Sequence, residues 1–352
     1  MRFPLHITLD TVSHQARNAI AGNKRYPFVL MLEPLYTCNL ACIGCLPERH
    51  TGKLSDRLPL EACLKAVDDC GAPSVSICGG EPTVYPELPE LVAGIIARKR
   101  HIYLCTNALL LDTKVFGRIP PHKRLTINVH LDGMRKTHDY VTAREGVFDK
   151  AIEMIREAKA RGYHVITNTT VFKETDIGEV EELCEYMTEL GVDGMLISPG
   201  YHYEHIEHDI FLTREDIEEK FKRVLSFADR FPLMSTPPFL EFAAGLRDYQ
   251  CSPWSTVTFT PKGWKGPCYL IGKKFTFDWN EFWTGTDWEY WESRQDRLCQ
   301  NCKMHSGFEA SVVRELARNP GDLMRVMKWN FLGNGRRKAP ERETVAVASN
   351  GR

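Results

Sequence analysis

The chain has 352 residues, 43% hydrophobic and 26% charged, with a formal net charge of −1. That length suits one large α/β domain plus a smaller appended unit, and the near-neutral balance gives no reason to expect nucleic acid as a partner. No apolar run of about 18 residues is present, and residues 1–10 lack a basic stretch followed by a long apolar core, so a cytoplasmic protein is expected.

From residue 28 the chain alternates strand-like apolar runs with amphipathic helical stretches. Strands are expected at 28–33, 74–78, 101–106, 125–131, 164–171 and 194–198, each short and bounded by Gly, Pro, Asn or Asp. Helices are expected at 59–70, 87–99, 147–161 and 176–190. Pro59 suits a first helical turn, and Gly71, Gly162 and Gly191 follow helix ends. Strands separated by helices imply parallel pairing through right-handed crossovers. That predicts an α/β fold, a partial (βα)6 barrel with its site at the strand C-ends; a doubly wound sheet has the same linear pattern. Two further helices are expected at 214–230 and 239–247. A loop-rich region rich in tryptophan and cysteine follows. The expected organisation is an N-terminal extension (1–27), the barrel (28–234), a cysteine- and aromatic-rich C-terminal extension (235–333) and a disordered charged tail (334–352).

Twelve cysteines are many for a chain without an export signal, and tight clusters of them read as metal or redox sites. The decisive run is Cys38-Asn39-Leu40-Ala41-Cys42-Ile43-Gly44-Cys45, directly after the first strand. Thiolates are the preferred ligands of iron–sulfur clusters, and three of them leave one iron of a 4Fe–4S cubane open for catalysis. A zinc site generally has four protein ligands, and no fourth Cys or His follows at finger-like spacing. The C-x3-C-x2-C pattern resembles that of the radical S-adenosylmethionine (SAM) superfamily, which implies that the open iron chelates SAM.

Gly79-Gly80-Glu81-Pro82 follows the second strand and is similar to that superfamily's GGEP motif. Glycines let a backbone approach a ligand closely, and the Glu81 carboxylate is expected to accept from SAM's ammonium. Asn107, His130, Asp132, Asn168 and Ser198, at later strand ends, are candidate SAM contacts; turn and capping chemistry would also place such residues there.

With these motifs in view, the chain resembles the adenosyl-hopene transferase family of hopanoid biosynthesis from about residue 24 to 331. Matching stretches include Arg25-Tyr26-Pro27, Tyr103-Leu104-Cys105-Thr106-Asn107-Ala108, His130-Leu131-Asp132-Gly133, Ile197-Ser198-Pro199-Gly200-Tyr201 and Pro267-Cys268-Tyr269-Leu270. The resemblance implies addition of a 5′-deoxyadenosyl radical to the terminal alkene of a hopene, giving adenosyl-hopane. It also implies a hydrophobic, membrane-derived substrate and a one-electron reductant such as flavodoxin or ferredoxin. The carbon radical left after addition must gain a hydrogen atom. Cys105, at the third strand's C-end and matching the family's cysteine there, is the expected donor, with Cys78 a second candidate. The chain departs from the family after the triplet, where Leu46 replaces a glycine, and at His305-Ser306-Gly307, where the family has His-Cys-Gly. Another alkene or lipid therefore stays open as substrate.

Cys251, Cys268, Cys299 and Cys302, the last two a C-x2-C pair, are candidates for a second iron–sulfur cluster or a zinc ion. Peptide modification with an auxiliary cluster is the alternative activity. Residues 323–332, followed by Arg336-Arg337-Lys338, read either as an interfacial helix touching the membrane periphery or as a packed terminal helix. The C-terminal aromatics are candidates for walling an apolar pocket.

Overall fold

The computed structural model describes residues 2–46, 48–201, 209–316 and 318–332. The expected tail (334–352), with Arg336-Arg337-Lys338, lies outside the described residues. Among the described residues nine strands form one sheet: β1 (Val29–Leu32), β2 (Ser74–Ile77), β3 (His101–Thr106), β4 (Leu125–His130), β5 (His164–Val171), β6 (Gly194–Pro199), β7 (Thr256–Thr260), β8 (Gly263–Pro267) and β9 (Gly272–Thr276). Their order is β6-β5-β4-β3-β2-β1-β7-β8-β9. The six expected strands lie in sequence order, all parallel. A doubly wound sheet would reverse direction part-way, so the order selects the partial barrel.

Period-two alternation divides each strand between two environments. Val75, Ile77, Ile102, Leu104, Ile127 and Val129 are fully buried and belong to the main hydrophobic core, with residues of the helices Leu60–Cys70, Leu88–Ala97, Val147–Ala160 and Ile177–Glu189. The alternate residues, Ser76 on β2, Cys105 on β3 and Asn128 on β4, meet one another on the inner face. Local chemistry sets the helix ends. Gly71 closes Leu60–Cys70 at φ 63°, and the Asp176 side chain accepts from Gly178 N to open Ile177–Glu189.

Two features differ from expectation. Within 235–333, β7 pairs in parallel with β1, and β8 and β9 continue antiparallel. The region read as loop-rich therefore extends the barrel sheet. Its strands are only five residues long, too short for periodicity to stand out. The N-terminal extension contains a helix, Leu5–Ile20, whose Leu5, Leu9 and Val12 remain exposed. It is tethered by Arg2, whose guanidinium donates to Ala228 O (2.7 Å), to Trp329 O (3.2 Å) and to Phe231 O.

The tryptophans are structural. Trp264 on β8 is 1% exposed and packs on Trp279 (4.6 Å between centroids) and Phe282 (5.7 Å). Trp279 stacks on Trp283, and Trp283 meets Trp288. Their neighbour Lys265 points to the other face, because adjacent strand residues alternate. These four tryptophans thus pack on one another as a core within the extension.

Candidate functional site

The triplet lies on the loop leaving β1. Leu40 N donates to Cys38 Sγ at 3.4 Å, Cys45 N to Cys42 O at 3.1 Å, and Ile43 N to Val141 O at 3.0 Å. All three thiols are free and half-buried. Burial pushes Cys38 up to about 11, with Leu40 N opposing and the charges of Glu81 and Cys45 adding to it. Burial likewise raises Cys42, where Cys45, Asp132 and Cys38 add to the effect. The three sulfurs therefore share one electrostatic environment, and a bound metal would displace their protons. Among the described residues no three His, Cys, Asp or Glu side chains converge as ligands of a single ion do. In a cubane each cysteine binds a different iron, so the loop's free thiols suit a cluster.

The glycine pair braces this loop. Gly79 has φ 105°, a conformation open to glycine. Gly80 N donates to Leu35 O (3.0 Å) and Glu81 N to Thr37 O (2.9 Å). Glu81 is 2% exposed, and its carboxylate already receives four donors. Thr83 N (3.1 Å), Thr83 Oγ1 (2.6 Å) and Thr106 Oγ1 (2.7 Å) reach Oε1, and Asn107 N (2.9 Å) reaches Oε2. Burial raises its pKa against these bonds. In this arrangement Glu81 fastens the ends of β2 and β3 together, while Pro82 opens a buried 3-10 turn.

The strand-end residues fall into two groups. Asn107 Nδ2 donates to Asn39 Oδ1 at 2.7 Å, which ties β3 to the triplet loop. His130 Nε2 lies 2.6 Å from Asp132 Oδ2, and Asn168 Nδ2 lies 3.4 Å from His130 Nδ1. Burial pulls the His130 imidazole down, but Asp132 more than offsets it and leaves it above its usual value. Ser198 stands apart: its Oγ is 3.0 Å from His305 Nδ1, so it joins β6 to the helix His305–Leu316. Cys105 Sγ lies 3.2 Å from Ser76 Oγ and 3.5 Å from Asn128 Nδ2. Burial raises the Cys105 thiol against both contacts, which keeps it protonated.

The four later cysteines are gathered from three separate segments. Cys251 interacts electrostatically with Cys302, Cys268 and Cys299, and none forms a disulfide. Two cations attend them. Arg294 Nη2 donates to Cys302 O (3.1 Å), while its buried Nε has no partner among the described residues. Lys265 on β8 is 5% exposed and interacts with Cys268, Glu33 and Arg49; no hydrogen bond to its ammonium occurs among the described residues. Sequence reasoning missed Asn39, Ser76, Glu33, Arg49, Lys265 and Arg294. Only the alternation Trp264-Lys265-Gly266 hinted that Lys265 faces inward.

Residues 32–187 match the family model described as "Radical SAM superfamily", and residues 195–326 match a "Domain of unknown function (DUF3463)". Fe-coproporphyrin III synthase of Methanosarcina barkeri is 29% identical over 153 residues, 42% of this chain and 38% of that protein. GTP 3',8-cyclase of Clostridium perfringens is 25% identical over 252 residues, 66% of this chain and 77% of that protein. The chain thus spans well under half of the first relative and about three-quarters of the second. Among solved structures, Streptococcus suis SuiB bound to precursor peptide SuiA superposes with a TM-score of 0.63 at 18% identity, covering 83% of this chain and 74% of that one. That likeness concerns the fold. The radical SAM family implies a 4Fe–4S cluster and SAM, which the Cys38–Cys42–Cys45 loop suits, and residues 32–187 of this chain carry a radical SAM domain.

Proposed function

We propose that the protein transfers the adenosyl group of SAM to the terminal alkene of a hopene-like lipid, forming a carbon–carbon bond. When bound, the cluster and SAM supply a 5′-deoxyadenosyl radical. Cys38, Cys42 and Cys45 hold the cluster; the Gly79-Gly80 turn, Asn107, His130, Asp132 and Asn168 line the approach to it. The observation that carries the reading is a protonated Cys105 thiol on the inner face of β3, between Ser76 and Asn128. After addition, the substrate's tertiary carbon radical needs one hydrogen atom, and a thiol S–H bond is weaker than the C–H bond formed. Ser76 and Asn128 fix the sulfur's position. Exposed Leu323, Met324, Met327, Phe331 and Leu332 on the terminal helix Pro320–Leu332 support contact with a lipid surface. No helix among the described residues is long and apolar enough to cross a membrane.

Cys251, Cys268, Cys299 and Cys302 are proposed to hold a second metal centre. Because no three such side chains converge on a single point among the described residues, a cubane suits them and a lone zinc ion does not; four thiolates around a cubane carry a net charge of roughly −2. Lys265 and Arg294, buried or half-buried beside these cysteines, supply positive charge that would offset such a centre. These cysteines also favour a second reading, peptide modification, as SuiB is bound to a precursor peptide in its structure.

Anaerobic incubation with SAM, a reductant and a hopene extract, followed by mass analysis, tests both. An adenosyl adduct on the lipid supports the first reading. Release of free 5′-deoxyadenosine without an adduct rejects it.

A further inference from the structure

Cys78 and Cys105 are side-by-side neighbours on parallel strands. The register sets Ser76 opposite Tyr103 and Ile77 opposite Leu104, so Cys78 stands opposite Cys105, one step past the last paired residue. On the far side of β3, the register partner of Cys105 is Asn128, and its Nδ2 already reaches the sulfur at 3.5 Å. Cys78 holds the equivalent place on the near side. Ser76 lies two residues before Cys78, hence on the same face, and its Oγ is 3.2 Å from Cys105 Sγ. The Cys105 sulfur also acts electrostatically on Cys78. Neighbouring strands lie about 4.8 Å apart, inside the roughly 4.4–6.8 Å window of Cα separations that a disulfide spans. Both thiols are free and half-buried.

We propose that Cys78 and Cys105 form a redox-active dithiol that completes the reaction through a transient disulfide. The proposal rests on Cys105 being the hydrogen-atom donor. When its S–H bond breaks and the product C–H bond forms, an unpaired electron is left on the Cys105 sulfur. Cys78 then releases its proton to the buffer, and its sulfur bonds to that of Cys105. The surplus electron passes to the oxidised form of the one-electron carrier, a flavin or iron–sulfur protein. The dithiol has then given up two electrons, one as the hydrogen atom and one to the carrier. An external dithiol reopens the disulfide by exchange.

The first test needs no substrate. Cluster-loaded, full-length protein is equilibrated anaerobically with graded mixtures of oxidised and reduced dithiothreitol, quenched in acid and alkylated. Peptide mass analysis should show Cys78 and Cys105 losing alkylation together and appearing in one cross-linked peptide, while Cys63, Cys70 and Cys184 stay alkylated. If both remain alkylated at every ratio, the proposal is overturned. The second test is turnover with hopene extract and added dithiol. Cys78→Ser should abolish the cross-link and cut adduct per enzyme severalfold; an unchanged yield overturns the pair's role. Cys105→Ala tests the parent reading separately, since saturated adduct from that variant removes the hydrogen-donor role whatever the first test finds.

Discussion

A side-chain carbon built on Gly80 would lie 2.1 Å from the backbone oxygen of Thr37, the residue immediately before Cys38. The GGEP turn and the triplet loop are therefore in backbone contact, and the close approach is possible because Gly80 has no side chain. Backbone atoms cannot retreat as a flexible side chain can.

Gly80→Ala should consequently push the triplet loop away. We expect it to lower iron bound per chain severalfold and to destabilise the protein by about 1–3 kcal/mol. Iron analysis of anaerobically reconstituted protein, alongside thermal melts, checks this; full iron loading would show that the loop tolerates displacement.

Replacing Cys38, Cys42 or Cys45 with Ser removes a thiolate while leaving volume nearly unchanged. SAM cleavage should fall by more than about 100-fold, beyond the range typical of residues that merely support a metal ligand. The readout is 5′-deoxyadenosine formed per electron, and a variant keeping wild-type cleavage would not be using that cysteine as a ligand.

Lys265→Met deletes a buried positive charge beside Cys268. The reduction potential of the proposed second cluster should move to more negative values, because the extra electron loses a stabilising cation. In metal-free protein the substitution should cost little stability, because Glu33 keeps Arg49 as its partner when the ammonium is removed. A second cluster whose potential ignores the substitution, or four cysteines that bind no iron, would contradict the assignment.

Burial raises Glu309 from 4.5 to about 7, although Thr236 N and Oγ1 partly oppose the shift. Between these values the unfolded chain has released its proton and the folded one has kept it, so stability falls as pH rises from 4.5 to 7 and then levels off. Glu309→Gln should flatten that segment by up to about 3 kcal/mol. Denaturant midpoints across the range measure it, and an unchanged slope would mean Glu309 ionises normally in the folded protein.

Strands β1 to β6 were legible because each is an apolar run between turn residues. The helices between them were legible from periodicity and glycine stops such as Gly71. Boundaries differed by one or two residues at several ends, and by more in the helices after β6, Arg214–Leu225 and Pro237–Ala243. The five-residue strands β7 to β9 carried too little pattern to be seen. Ser198 illustrates a residue whose place at a strand end was correct while its partner, His305, lies 107 positions away.

By itself the sequence determined that three thiols are grouped, since spacing of four and three residues keeps Cys38, Cys42 and Cys45 on one short loop. It also determined the order of strands and crossovers, because strand and helix periods are local properties. Tertiary structure decided which side chains share the inner face: that Asn107 ties to Asn39, that Glu81 is consumed by four donors, and that Cys78 stands beside Cys105. Those pairings depend on strand register and crossover geometry, which link residues far apart in the chain and leave no signature at any single position.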